Sequence, residues 1–160
     1  MELITSLTNA KVKMALSLQQ KKYRDKYQLF ILEGIRNAEM VIAKNISVQM
    51  CFFTQKAFTN ERGKSILEQL NCPCFEVPEH IYQKISDTQS PQGLMLILPI
   101  QNHNLDDLAT INKSGLYLIL DRLQDPGNIG TIIRTADAMG VKAIICLNGT
   151  ADIYSPKVVR

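Results

Sequence analysis

The residues best suited to chemistry lie together in Asp121-Arg122-Leu123-Gln124-Asp125-Pro126-Gly127-Asn128-Ile129-Gly130-Thr131-Ile132-Ile133-Arg134-Thr135-Ala136-Asp137-Ala138-Met139-Gly140. Pro126-Gly127 marks a turn, and Asn128 can cap a following helix by accepting backbone N–H bonds. Gly127 and Gly130 leave space for a ligand or another backbone to approach closely. At helical spacing Ile129, Ile132, Ile133, Ala136 and Gly140 share the face turned to a sheet, while Thr131, Arg134 and Asp137 share another. An arginine on that second face can meet an RNA phosphate or a ribose hydroxyl. A plainer reading stands beside this one. Asp-Pro-Gly-Asn is also a commonplace turn, and Arg134 beside Asp137 also reads as a surface ion pair worth under ~1 kcal/mol. No G-x-G-x-x-G is present and no G-K-[ST] follows the glycines, so NAD-dependent and nucleotide-hydrolysing chemistry find little support.

A second group of candidates is basic. Residues 1–30 hold Lys11, Lys13, Lys21, Lys22, Arg24 and Lys26 against Glu2 and Asp25, a local net of +4. The whole chain carries only +3, so the excess sits in this one stretch. Clustered Lys and Arg release counterions when they neutralise a polyanion, which makes this edge a candidate phosphate contact. Tyr23 and Tyr27 alternate with the charges and can stack on bases or staple the segment to the core. A solvated helix followed by a charged loop is the alternative. Metal chemistry is not expected. Cys72-Pro73-Cys74 is the one closely spaced cysteine pair, Cys51 and Cys146 lie in apolar runs, and His80 and His103 stand alone without ligand spacing. The thiols are expected to be free and reduced.

These candidates need elements to position them. The 160 residues are 46% apolar, a globular composition with room for one ordinary domain or two small ones. No apolar run reaches the roughly 18 residues of a membrane span, and Met1-Glu2-Leu3-Ile4 lacks the pattern of a signal peptide. A soluble cytoplasmic protein is expected. Asn9 reads as the cap of a first helix carrying Val12, Ala15 and Leu16. Strands are expected at 29–32, 48–54, 74–77 and 93–98, with helices at 35–44, 60–70 and 79–85 between them. That alternation indicates an α/β layer structure with a mostly parallel sheet. The pattern breaks between Ile100 and Ser114, where at best one or two helical turns fit 105–111. A strand at 116–120, a helix at 129–139 and a strand at 143–147 then make one β-α-β unit. One such unit cannot cover both faces of its own sheet. The expected domains are 1–100, a linker at 101–115, and an incomplete second domain at 116–160.

Taken as a whole, Leu120-Asp121 followed by Asp125 to Ala136 closely resembles the first motif of the SpoU-type RNA ribose methyltransferases, members of the knotted SPOUT superfamily. Tyr154-Ser155-Pro156-Lys157-Val158-Val159-Arg160 resembles the segment after the next strand in that family. Phe30-Ile31-Leu32-Glu33-Gly34-Ile35-Arg36 and Ser90-Pro91-Gln92-Gly93 are similar to two landmarks of its substrate-binding domain. The resemblance implies an N-terminal ribosomal-protein-like α/β sandwich that binds RNA, followed by the first β-α-β part of an α/β-knot domain. It implies methyl transfer from S-adenosylmethionine to a ribose 2′-hydroxyl, with ribosomal RNA favoured over transfer RNA. Arg134 takes the position assigned to activating that hydroxyl, and Asn128 the position that orients the catalytic loop. Because arginine is a permanent cation, Arg134 is read as an electrostatic clamp on the alkoxide or its phosphate, not as a base. Lys21, Lys22, Arg24, Lys26 and Arg36 are the expected RNA contacts.

One departure limits the resemblance. The family's second and third motifs, which form the trefoil knot, the cofactor contacts and most of the homodimer interface, have no counterpart in residues 148–160. The expectation is therefore that the 160-residue chain alone neither binds S-adenosylmethionine nor methylates RNA, while a longer parent does both as a homodimer. A non-catalytic RNA-binding module is the alternative, and a purely structural protein with Arg134 as a surface charge is a weaker third.

Overall fold

Asn9 opens the first helix as its spacing indicates: its side chain accepts a hydrogen bond from the backbone N–H of Lys11 at 2.8 Å. The structure is a computed structural model describing residues 1–103 and 114–160. The helical turns expected over 105–111 and most of the expected linker lie outside the described residues. The chain forms two units, one of Met1–Ile100 with Tyr154–Pro156 and Arg160, the other of Gln101–Ile153 with Lys157–Val159.

In the first unit the order is β1 (Glu2–Leu3), α1 (Ala10–Ser17), α2 (Lys21–Tyr27), β2 (Leu29–Glu33), α3 (Ile35–Ala43) and β3 (Met50–Phe53), then α4 (Gln55–Phe58), α5 (Glu61–Gln69), β4 (Cys74–Glu76), α6 (Glu79–Ile85) and β5 (Leu94–Pro99). The basic stretch is thus a helix where a charged loop was one reading. It ends where Gln28 takes a left-handed conformation, φ 53°.

The five strands lie in the order β1-β4-β3-β5-β2. The expected mostly parallel sheet is present with one reversed strand. β4 runs parallel to β1 and β3, but β5 runs antiparallel to both β3 and β2. The reason lies in the segment after α6. Ser86 and Thr88 donate to the Glu33 carboxylate at the end of β2, at 2.8 and 3.0 Å. They carry the chain back to the carboxyl end of the sheet, so β5 starts where β2 and β3 finish.

Side chains alternate across this sheet as the pleat requires. Phe52, Phe75, Met95 and Ile97 pack with Val12, Ala15, Leu18, Ile81 and Ile85 of the α1 and α6 layer. Phe53, Leu94, Leu96 and Leu98 pack on the other side with Ala38, Val41, Ile66 and Leu67 of α3 and α5. β5 is buried on both faces, which explains its continuous apolar run, each such side chain contributing about 1.5–3 kcal/mol. The result is a three-layer α/β sandwich.

The second unit has β6 (Tyr117–Leu120), α7 (Pro126–Ala138), β7 (Ala143–Cys146) and α8 (Pro156–Val159). β6 and β7 are parallel neighbours, Leu120 opposite Cys146. The helix begins three residues earlier than expected and its cap is Asp125, not Asn128. The Asp125 carboxylate accepts from the Asn128 backbone N–H at 2.7 Å. Proline needs no N–H partner at the first helical position, so Pro126 starts the helix instead of forming the expected turn. Leu120, Ile129 and Val158 form the buried centre of this unit.

Candidate functional site

Arg134 is exposed on α7 and its guanidinium folds back along the helix. Nη2 lies 3.3 Å from the hydroxyl of Thr131, one turn earlier, which itself donates to the Gly127 carbonyl at 3.0 Å. Gly130 makes this possible. A Cβ there would stand 3.1 Å from the Val158 carbonyl oxygen and 3.2 Å from Arg134 Nη1. The bare glycine therefore admits both the α8 backbone and the guanidinium onto one patch of helix surface. Asn128 is also exposed, at i−3 from Thr131, and Thr131 is the residue that touches Arg134. The i, i+3 spacing of Thr131 and Arg134 in the sequence carries the signal for this buttressing role.

The loops after β6 and β7 are tied to each other. The Ala151 N–H donates to the Leu123 carbonyl at 2.8 Å and the Thr150 hydroxyl to the Leu120 carbonyl at 2.9 Å. The Gln124 amide donates to the Gly149 carbonyl. Arg122, at a left-handed φ of 51°, pairs with Asp121 and lies over Gly149, where a Cβ would meet its Cγ at 2.9 Å. These carboxyl ends of parallel strands are where α/β proteins hold ligands. Here, however, the loop groups named are engaged with one another. They do not form a cradle for a nucleoside cofactor such as S-adenosylmethionine.

In the first unit the two landmark segments meet. Gln92 Oε1 accepts from the Ile35 N–H at 2.9 Å, and the Gly93 carbonyl from Thr54 N–H at 2.9 Å. Gly34 and Gly93 adopt φ of 107° and 80°, conformations that suit glycine. Arg36 is exposed in the first turn of α3. Along α2, Lys21 pairs with Asp25 at 2.6 Å, and Tyr23 and Tyr27 stack with ring centres 6.2 Å apart. Lys22 and Lys26 lie over those rings at 5.7 and 5.3 Å. Lys21, Lys22 and Lys26 are exposed.

Arg24 departs from the expectation. It is 3% exposed and its Nη1 donates to the Leu18 carbonyl at 2.6 Å. A cation turned into the unit to close the end of α1 is not available to an RNA phosphate. Among the described residues no group of three or more His, Cys, Asp or Glu is placed to hold a metal ion. None of their helices is long and apolar enough to cross a membrane.

Comparison with known proteins resolves the family. Residues 9–96 match the MRM3-like substrate binding domain, and residues 115–160 match the SpoU rRNA Methylase family. This chain belongs to the SpoU-type methyltransferases. Over 160 residues it is 33% identical to the 23S rRNA (guanosine(2553)-2′-O)-methyltransferase RlmP of Bacillus subtilis, covering all of this chain and 60% of that protein. It is 32% identical over 145 residues to rRNA methyltransferase 3, mitochondrial, of Xenopus laevis, covering 89% of this chain and 34% of the relative. The crystal structure of an AdoMet-bound rRNA methyltransferase from Sinorhizobium meliloti superposes with a TM-score of 0.84 at 32% identity, over 99% of this chain and 59% of that one. The SpoU-type chain thus spans no more than 60% of these relatives.

Proposed function

We propose that this chain supplies the RNA-binding and hydroxyl-activating parts of an S-adenosylmethionine-dependent ribosomal RNA 2′-O-methyltransferase that works in the cytoplasm as a homodimer. The observation that carries the reading is Arg134 held against Thr131 beside Gly130, within the SpoU-matching segment. A ribose hydroxyl is a weak nucleophile near neutral pH, and its attack becomes easier as its developing negative charge is met. A guanidinium is a permanent planar cation with several donors. Held at the helix surface by Thr131, Arg134 meets the alkoxide or the neighbouring phosphate without reorganising at the moment of reaction. Asn128, in the first turn of the same helix, orients the loop that precedes it. Lys21, Lys22, Lys26 and Arg36 hold the RNA backbone.

The test uses the whole protein and ribosomal RNA. Arg134→Ala is expected to lower methylation by two to three orders of magnitude, about 3–4 kcal/mol, with RNA affinity nearly unchanged. Activity that survives this change would sink the role given to Arg134. The 160-residue chain by itself is expected to bind ribosomal RNA in a salt-dependent way and to show no heat of binding with micromolar S-adenosylmethionine in calorimetry. RNA binding without methylation by the whole protein would favour the non-catalytic module instead.

A further inference from the structure

Three of the four cysteines meet in the first unit. Cys51 on β3 and Cys74 on β4 are direct partners on neighbouring parallel strands, and both enter the leucine-lined face of the sheet. Cys72 packs against the same cluster from just before β4, at a bend in the chain. Side chains two residues apart in an extended segment project to the same side. As a neutral thiol, Cys74 donates to the Cys72 carbonyl at 3.4 Å. As a thiolate it is instead the acceptor for its neighbours: hydrogen bonds from Cys51, then Cys72, hold its pKa below that of an ordinary thiol. The same hydrogen bonding to Cys74, and then burial, pushes the Cys51 and Cys72 thiols up. Cys51 is fully enclosed, Cys74 is 9% exposed and Cys72 is half-buried. Oxidant therefore reaches the Cys72–Cys74 side of the cluster.

We propose that Cys72 and Cys74 form a thiol modification site that a small hydroperoxide closes to a disulfide. The Cys74 thiolate attacks the hydroperoxide, the O–O bond breaks, and water or an alcohol leaves, giving a sulfenic acid on Cys74. The Cys72 sulfur then attacks the Cys74 sulfur, an S–S bond forms, and water leaves. Two thiols have lost two electrons to one peroxide bond. Cys146, exposed at the end of β7, lies in the second unit and serves as the internal comparison.

The experiment exposes the 160-residue chain to hydrogen peroxide at neutral pH, quenches with acid, unfolds it, and alkylates free thiols before mass spectrometry. Two of the four cysteines are expected to escape alkylation, and proteolysis should return one peptide containing Cys72 and Cys74 linked to each other. Dithiothreitol should restore four alkylated thiols. Cys72→Ser should lose the response, and Cys146→Ser should keep it. The proposal is overturned if all four thiols stay alkylated, if the link runs from Cys51 or to Cys146, or if Cys72→Ser still loses two thiols. Mapping of the unaltered chain decides the matter even if a variant fails to fold.

Discussion

Lys22, Arg24 and Lys26 are alternate residues of one short helix, yet they do different work. Two lysines lie over tyrosine rings, while the arginine between them is buried against the Leu18 carbonyl. Lys22→Ala and Lys26→Ala should each lower the slope of log affinity for RNA against log salt by about 1, with stability nearly unchanged. Arg24→Met should do the reverse. It removes a buried charged hydrogen bond worth about 2 kcal/mol and leaves the salt slope alone, as urea unfolding and filter binding will show. Tyr82 supplies a pH test. Burial, and next the nearby Glu33 carboxylate, push its phenol well above the usual range. The folded chain therefore keeps a proton that the unfolded chain gives up near pH 10, so this contribution is intact below about pH 10 and declines as pH rises beyond it. Tyr82→Phe should shift the alkaline fall in stability to higher pH; coincident curves would show that this phenol plays no part.

At the scale of elements, one close approach sets how two helices pack and one cap sets where a third begins. A Cβ on Gly63 would stand 2.2 Å from the Ala57 carbonyl oxygen, so α5 sits on α4 only because residue 63 has no side chain. Gly63→Ala should cost about 1–3 kcal/mol, read as a lower urea midpoint at unchanged slope. The start of α7 depends on Asp125 rather than on Asn128. Asp125→Ala should cost roughly 1 kcal/mol through the lost cap, whereas the same change at Asn128 should leave stability closer to that of the unaltered chain.

Across the whole molecule the buried apolar residues are shared unequally. The first unit buries both faces of a five-stranded sheet, while the second centres on Leu120, Ile129 and Val158, and Ile119 stays 59% exposed. Amides of β3 and β5 should therefore exchange only through global unfolding, and those of β6 and β7 through far cheaper local opening. Hydrogen exchange followed by mass spectrometry checks this. Equal protection of both sheets would contradict the unequal cores.

Periodicity, caps and turn residues are local, so they place β2, α3, α5, α6 and the β-α-β unit from sequence with ends up to three residues adrift. The string from Asp125 to Ala136 likewise carries the family on side-chain identity alone. Strand direction is not local. β5 reads the same whether parallel or antiparallel, and its direction depends on where Ser86 and Thr88 tie the chain to Glu33. The fate of a basic residue is equally non-local: by type Arg24 belongs with Lys22 and Lys26, yet its guanidinium turns inward to the Leu18 carbonyl at the end of α1. So the sequence alone determined the longer elements and the catalytic candidates, because spacing and residue type encode both. Tertiary structure decided which charges face solvent and which way β5 runs, because each turns on partners distant in the chain.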